Sequence, residues 1–497
     1  MAMFTAQEGA RLEALGRLNF INPFAPERIK LEETILGSSR PASDDVWNMH
    51  SGSNGTRAAV RAIGELATHW AKELRKRTGR TGFSATPAED KLYDAVVIYH
   101  LFEKYRQPMT ERMVQFPDET EYPVYRDFAR DFLELAAYPG RKTSFRYEPE
   151  RSFAIFFQIH RAFHHIFSFI VGGTLAAGGL RAAIWQSIFS HDIDRYFRVL
   201  YDKMNGITTL ITGESGTGKE LVARAIALSQ YIPFDAKTCR FAYPYTACFL
   251  PVQLSAMPQT MIESELFGHR KGAFTGATGD RIGYFEGCVE SGSVFLDEIG
   301  EIPPETQVKL LRVLQSRKFQ RLGDNRLLEF RGKIIAATNR DLGEACRTKT
   351  FRNDLYYRLC ADTVSTVPLR ELVSGDDREL EHFVAILSER ILGHQEAARF
   401  TPEAVRWIRR HLGASYPWPG NVRELEQCVR NLVIRGEYTP AATQETGKLE
   451  TALDRTDLTW EELLRLYLRR GYNRLGSCQA VAEFAGLDRR TVKKYLS

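Results

Sequence analysis

The chain carries no cysteine before Cys239 and only seven in 497 residues. The set is odd and scattered, and Cys239 and Cys248 stand too far apart for a CxxC knuckle, which excludes a disulfide framework and predicts free thiols in a reducing cytoplasm. A secretory start is also missing. Met1-Ala2-Met3-Phe4-Thr5-Ala6-Gln7-Glu8 lacks a basic region followed by an apolar core, so no signal peptide is expected. No uncharged run makes a good membrane span. Ala162–Leu180 holds two histidines and four glycines, and Phe241–Ile262 is broken by Pro244, Pro251 and Pro258. Strong charge of one sign is absent overall, at a net +5, though the positive charge is unevenly spread. With 43% hydrophobic and 26% charged residues the composition is that of an ordinary globular protein.

At this length roughly three or four domains are expected. The first 188 residues read as helical. Arg57–Arg77 places Val60, Ile63, Leu66, Ala67, Trp70 and Leu74 at helical spacing, and further helical runs follow at Ala88–Tyr105, Tyr125–Ala137 and Phe153–Val171, with breaks such as Tyr138-Pro139-Gly140. This region shows no nucleotide loop, no acidic phospho-acceptor pocket and no cysteine cluster, and its signal is not written in the sequence. His160 and His164, four apart with His165 beside them, could share a helix face and hold a metal. Their aromatic surroundings and the lack of a nearby acidic ligand favour buried, hydrogen-bonded histidines instead.

The β-branched run Ile207-Thr208-Thr209-Leu210-Ile211 reads as a buried parallel strand. It feeds Gly213-Glu214-Ser215-Gly216-Thr217-Gly218-Lys219-Glu220 and then the helix Leu221–Ile226. Glycines let backbone N–H groups face phosphates, the helix N-terminus adds positive potential, and Lys219 neutralises charge. Glu220 stands where many such loops place a Ser or Thr on Mg²⁺, so metal positioning must lean on other groups. A second strand, Ser293–Leu296, ends in Asp297 and Glu298, suited to holding hydrated Mg²⁺ and to orienting the attacking water. A third, Lys333–Thr338, ends in Asn339, an amide able to reach a γ-phosphate or that water. Arg352 and Arg358 flank an aromatic helix turn, as arginines supplied from a neighbouring subunit would, and Arg423 opens a helix after Trp418-Pro419-Gly420-Asn421 where a lid could touch nucleotide.

Between these elements lies Gly272-Ala273-Phe274-Thr275-Gly276-Ala277. Its glycines break the helical pattern, leaving Phe274 and Thr275 on a loop tip that either touches a partner or packs as a buried turn. The polar linker Thr439–Gly447 precedes a basic end: Ser477–Phe484 reads as a short helix, Ala485-Gly486-Leu487 as a turn, and Asp488–Leu496 as a second helix carrying Arg489, Arg490, Thr491, Lys493 and Lys494. A helix-turn-helix with a basic second helix suits major-groove DNA, without saying which side chains read bases.

In order, Gly213–Glu220, Glu263-Ser264-Glu265-Leu266-Phe267-Gly268-His269, Gly272–Ala277, Val294–Gly300, Ala337-Thr338-Asn339, Phe351–Leu359 and Trp418–Glu424 resemble the AAA+ ATPase domain of sigma-54-dependent transcriptional activators, the bacterial enhancer-binding proteins. The tail is similar to their Fis-type DNA-binding domain. The resemblance implies an all-α N-terminal regulatory domain (1–188), an α/β AAA+ P-loop (Walker A) ATPase core (189–368) with a helical lid (369–436), a linker (437–456) and a helix-turn-helix (457–497). It implies ATP and Mg²⁺ as cofactors, a homo-oligomer rising from dimer to hexameric ring, and sigma-54 RNA polymerase and enhancer DNA as partners. Within it Glu220 is the usual residue, Asn339 is similar to sensor I, Arg423 to sensor II, Arg352 and Arg358 to trans arginine fingers, and Gly272–Ala277 to the sigma-54 contact. Gln253 departs from the family pattern, which carries Asn there to restrain the catalytic Glu; its amide reaches one methylene further and implies a retuned switch. Residues 231–247 are extra to the family pattern, with a longer loop favoured over an elaboration packed on the first domain. A chaperone- or unfoldase-type ATPase and a DNA-binding regulator independent of sigma-54 are the alternatives.

Overall fold

The computed structural model describes residues 3–37, 58–79, 84–374, 377–440 and 459–496. It comprises two compact units, Met1–Glu426 and Gln427–Ser497. Among the described residues the first unit opens with seven helices: α1 (Ala6–Leu18), α2 (Glu27–Leu36), α3 (Ala58–Thr78), α4 (Pro87–Gln115), α5 (Tyr125–Ala136), α6 (Pro149–Phe169) and α7 (Leu175–Phe189). Capping boxes start two of them, Thr5 with Glu8 and Thr86 with Glu89, each satisfying amides that the helix ladder leaves free. The expected end of the second helical run near Tyr105 is overrun: α4 continues through Pro108 to Gln115. Met109 and Met113 are fully buried beyond the proline, so packing outweighs the one ladder bond that proline removes. α6 buries Phe153, Phe156 and Phe157 almost completely, each worth about 1.5–3 kcal/mol relative to exposure.

After a short turn, α8 (Ile193–Arg195), the chain enters an α/β layer. Its strands are β1 (Thr209–Thr212), the hairpin β2 (Phe234–Asp235) and β3 (Arg240–Phe241), then β4 (Phe249–Gln253), β5 (Ser293–Asp297), a second hairpin β6 (Lys318–Phe319) and β7 (Leu328–Glu329), β8 (Lys333–Thr338) and β9 (Asp362–Ser365). β4, β5, β8, β1 and β9 form one parallel sheet in that order. The near-continuous burial of β1, β5 and β8 matches helices on both faces. The helices of this layer are α9 (Lys219–Ala227), α10 (Gln259–Phe267), α11 (Tyr284–Gly287), α12 (Pro304–Ser316), α13 (Leu342–Arg347) and α14 (Asn353–Leu359). α15 (Leu369–Leu372), α16 (Asp377–Leu392), α17 (His394–His411) and α18 (Asn421–Arg435) follow as the helical lid.

The N-terminal helices and the sheet share one continuous core, from Leu12 through Phe156 and Ile188 to Ile211, Ala223 and Phe295. Packing therefore shows no break near residue 188. α7 presses on α9 and β9, and Ser187 Oγ donates to Asp362 at 2.6 Å, the carboxylate that also accepts from Thr209 Oγ1 at 2.8 Å. The extra segment at 231–247 is a correction to the expected plain loop. Its hairpin packs on the N-terminal helices: Tyr122 N donates to Cys239 O at 2.8 Å, Phe241 N to Thr120 O at 2.9 Å, and the Phe241 ring stacks on Phe157 with centroids 4.4 Å apart. The aromatic side chains that composition left unassigned are glue between the two layers.

His160 and His165 are buried as expected, and among the described residues no group of three or more His, Cys, Asp and Glu could hold a metal. The expected hydrogen bonds differ: Nε2 of each ring has no partner. All seven cysteines are free thiols. Most of the linker, from residue 441 to 456, lies outside the described residues. Among the described residues no helix is long and apolar enough to cross a membrane.

Candidate functional site

The phosphate loop leaves the C-terminal end of β1, between β8 and β9, at the end of a parallel sheet where such crevices form. Gly213, Gly216 and Gly218 all have positive φ, at 147°, 80° and 88°. Two of these positions also exclude a side chain. A Cβ on Gly213 would meet Thr366 Oγ1 at 2.0 Å, and one on Gly216 would meet Gly420 O at 2.4 Å. Lys219, at the first turn of α9, spans the loop and donates to Gly213 O at 3.1 Å and Glu214 O at 3.2 Å. Burial lowers its ammonium below the usual lysine range, against the pull of the nearby Glu298 and Asp297 carboxylates. The cradle thus combines bare backbone, a helix N-terminus and one cation, the donor set a polyphosphate takes.

The carboxylates sit beside it. Asp297 closes β5, and Glu298 follows in left-handed backbone at φ 56°, a conformation uncommon for a side chain of this length. Glu298 N donates to Asp297 Oδ1 at 3.1 Å, and Asn339 N, past the end of β8, donates to Glu298 Oε2 at 3.4 Å. The adjacency of β5 and β8 therefore brings Asp297, Glu298 and Asn339 to one edge near Lys219. Gln253 lies opposite Asp297 in the β4–β5 register, exposed at the strand end. The donor set fits a hydrated divalent ion, with Asp297 as the holding carboxylate. Such an ion, when bound, would neutralise phosphate charge.

The lid docks onto the loop through contacts that no local sequence pattern discloses. Asn421, buried and left-handed at φ 52°, donates from Nδ2 to Glu214 Oε2 (3.1 Å) and Ser215 O (3.0 Å), and its Oδ1 accepts from Leu369 N at 2.9 Å. One short amide thus ties the phosphate loop, the start of α15 and the start of α18 together. Arg370 grips Glu214 with both nitrogens, at 2.9 and 2.6 Å. Arg370 first, and then Asn421, hold the Glu214 carboxyl down to about 2. Arg423 Nη1 donates to Ser215 Oγ at 3.2 Å, which sets its side chain against the loop. Thr366, just past β9, meets Thr217 Oγ1 at 2.6 Å and donates its N–H to Thr212 O at 2.8 Å. Asn421 stands within the Trp-Pro-Gly-Asn motif, which is the signal that could have found it. Thr366 and Arg370 had no local signal, because only the sheet order places β9 beside β1.

Arg352 and Arg358 stand apart. α14 packs on α12 and α13, both side chains are exposed, and Arg352 forms a two-pronged pair with Asp354 at 3.0 and 2.7 Å.

Gly213→Ala forces a side chain into Thr366 at a φ that favours glycine, so nucleotide affinity should fall at least about tenfold. Titration with a fluorescent ATP analogue reads this directly, and affinity within twofold of wild type would contradict the geometry of the cradle.

The Gly272–Ala277 tip resolves as a surface loop. Gly272 and Gly276 take positive φ, Gly272 N donates to Ala277 O at 2.9 Å, and Ala277 N to Phe274 O at 3.0 Å. Phe274 is 46% exposed and Thr275 is exposed. Its base is held firmly: His269 exchanges backbone bonds with Arg281, Arg270 pairs with Asp280 and Asp324, and His269 Nδ1 meets Ser264 Oγ at 2.7 Å. The only ring touching Phe274 among the described residues is His269, edge-on at 5.0 Å. The stiff base presents an apolar ring to solvent, so the tip belongs to the surface and not to the core.

Residues 191–365 match the family model described as the Sigma-54 interaction domain. Over these residues the chain is similar to a sigma-54 interaction domain. Curated relatives agree. The chain is 45% identical over 232 residues to the Nif-specific regulatory protein of Azotobacter vinelandii, covering 46% of this chain and 40% of that protein. It is 41% identical over 237 residues to the DNA-binding transcriptional regulator NtrC of Rhizobium meliloti, covering 48% and 45%. It is 36% identical over 304 residues to the transcriptional regulatory protein ZraR of Salmonella typhimurium, covering 58% and 63%. The chain thus spans less than two thirds of each of these relatives. Among solved structures, NtrX of Brucella abortus aligns at a TM-score of 0.42 and 24% identity, covering 78% of this chain and 84% of that chain.

The matched span contains the phosphate loop, Asp297, Glu298, Asn339, Arg352, Arg358 and the exposed tip; Asn421 and Arg423 lie beyond its last matched residue. Well outside that span, the second compact unit packs the helices Trp460–Leu475, Cys478–Ala485 and Arg489–Leu496 around Leu468, Val481, Ala482 and Val492. Gly486 turns the chain in left-handed backbone at φ 66°. Asp488 caps the last helix, accepting from Arg490 N at 2.8 Å and Thr491 N at 3.0 Å, while the Thr491 hydroxyl also turns back onto it. Arg489, Arg490, Lys493 and Lys494 are exposed, and Thr491 is half-buried and engaged in the cap.

Proposed function

We propose that this protein is an ATP-hydrolysing, enhancer-binding transcription activator that remodels sigma-54 RNA polymerase to open promoters. The observation that carries this reading is the Phe274–Thr275 tip, exposed on a stiff base in the same domain as a complete phosphate cradle. Lys219 and the loop backbone bind the phosphates of ATP, Asp297 holds Mg²⁺ through water, and Glu298 orients the attacking water. Asn339 and Arg423 report nucleotide state, and Gln253 adjusts that report from the neighbouring strand. Arg352 and Arg358 act on the nucleotide of an adjacent subunit in a ring. Phe274 and Thr275 touch sigma-54. Arg489, Arg490, Lys493 and Lys494 dock the last helix on enhancer DNA, with Thr491 mainly shaping its start. The N-terminal helices regulate the engine, which their shared core with α9 supports.

The test is promoter opening by sigma-54 polymerase with purified protein and ATP. Thr275→Ala is expected to hydrolyse ATP within about twofold of wild type, as an exposed surface change should, yet to lose open-complex formation. Intact opening by this variant would overturn the reading.

A further inference from the structure

The phosphate loop is braced from outside its own strand, turn and helix by one residue, Thr366, which follows β9 and is 6% exposed. It meets the loop at three points. Its N–H donates to Thr212 O at 2.8 Å, at the end of β1. Its side chain closes on Gly213, where a Cβ would meet Thr366 Oγ1 at 2.0 Å and Thr366 Cβ at 3.2 Å. Deeper in the loop, its Oγ1 lies 2.6 Å from Thr217 Oγ1.

Proton counting orders this network, because a hydroxyl has one proton to give. Three contacts compete for two protons: the 2.6 Å pair itself, Thr217 Oγ1 to Glu214 O at 2.8 Å, and Thr366 Oγ1 to Thr212 O at 3.2 Å. Thr212 O already receives the Thr366 N–H. Leaving the longest contact without a proton costs least, since the repulsion between two bare oxygens falls with distance. Thr366 Oγ1–H therefore donates to Thr217, and Thr217 Oγ1–H donates to Glu214 O. Chained hydroxyls of this kind polarise and strengthen one another.

Lys219 gives the chain its importance. Its ammonium holds Gly213 O at 3.1 Å and Glu214 O at 3.2 Å in this structure. An ammonium that turns to a bound phosphate gives those carbonyls up, and the Thr217 bond to Glu214 O stays. The Glu214 carboxylate is held separately, by Arg370 and Asn421. The lid thus fixes the side chain of residue 214 while the hydroxyl chain fixes its carbonyl.

We propose that Thr366 is a positioning residue for the nucleotide: acting through Thr217, its hydroxyl keeps the phosphate loop in its binding shape as Lys219 passes from loop carbonyls to phosphate. A loop ordered in advance lowers the cost of binding, so Thr366 sets affinity and not the rate of the chemical step. This role rests on the ATPase reading above.

The experiment measures equilibrium binding of a fluorescent ATP analogue and steady-state turnover with the full chain. Thr366→Ser and Thr366→Ala differ by one oxygen, so their comparison isolates the hydroxyl from the lost methyl. Thr366→Ala should bind about tenfold more weakly than wild type, with kcat at saturating ATP within twofold. Thr366→Ser should bind within threefold of wild type. In a Thr217→Ala background, adding Thr366→Ala should weaken binding by less than a further twofold, because the partner is already gone. Circular dichroism melting confirms that the variants fold. Equal affinity of the Ser and Ala variants, a fall in kcat at unchanged affinity, or losses that multiply in the double variant would each overturn the role, and leave the ATPase reading intact where wild type hydrolyses ATP. The expected affinities in a wild type that binds ATP without hydrolysing it would support the role and overturn that reading. A wild type that does not bind the analogue overturns both.

Discussion

Glu298→Gln is expected to lower ATP turnover by about 10²–10⁴-fold, the range for removing a positioned general base, while leaving ATP affinity within about threefold of wild type. The carboxylate sits at the end of β5 in left-handed backbone, beside Asp297 and within reach of Asn339 N. It is not among the groups that make the phosphate cradle, so binding and turnover should separate. The amide replacement keeps the volume and removes the charge and proton-accepting oxygen that would polarise water. Steady-state hydrolysis alongside equilibrium binding of a fluorescent ATP analogue measures both. A fall of less than tenfold would remove Glu298 from the chemistry and shift attention to Asn339. The result also bears on Gln253, which the β4–β5 register places next to Asp297. If Gln253 restrains Glu298, Gln253→Asn should alter the nucleotide dependence of turnover without approaching the loss seen for Glu298→Gln.

Arg358→Ala is expected to cost about 10³-fold or more in turnover, as loss of an arginine supplied in trans does. Arg352, just before α14, and Arg358, within it, face solvent on a segment packed against α12 and α13, not on the lid that docks on the loop of the same chain. That placement makes the mixing experiment decisive. Lys219→Ala and Arg358→Ala should each be inactive alone. Mixed, they should recover part of the activity, because some interfaces then pair an intact Lys219 with an intact Arg358 from the neighbour. Absence of any recovery, in a mixture shown by light scattering to contain co-assembled oligomers, would contradict the trans assignment. Arg352 carries a further condition: its pair with Asp354 must open before the guanidinium can reach another subunit. Asp354→Asn should therefore affect assembly-dependent turnover more than it affects the isolated subunit.

Local chemistry makes much of the site legible in the amino-acid sequence. A phosphate loop needs glycine at positions of positive φ, and Gly213, Gly216 and Gly218 occupy such positions. Strands buried on both faces need β-branched and aliphatic runs, and β1, β5 and β8 have them. The exposed tip could be found from its paired glycines but not assigned to surface or core, since a short apolar loop satisfies either environment. Its exposure depends on the clamp formed by His269, Arg270, Asp280, Arg281 and Asp324, whose members are scattered over more than fifty residues.

Residue order alone dictated the elements that depend on neighbours along the chain: the strand–loop–helix around Lys219, the acidic strand end at Asp297 and Glu298, and the capped basic helix after Asp488. Each is specified by backbone geometry or helix capping, which operate over a few residues. Long-range packing controlled the rest, and it became visible only in the folded chain. It placed Thr366 beneath Gly213, knotted Asn421 into the phosphate loop, and turned residues 231–247 into a hairpin on the N-terminal helices. It also fused those helices to the back of α9 through Arg161, because a buried guanidinium can be satisfied by carbonyls arriving from anywhere in the chain, and no local pattern announces which.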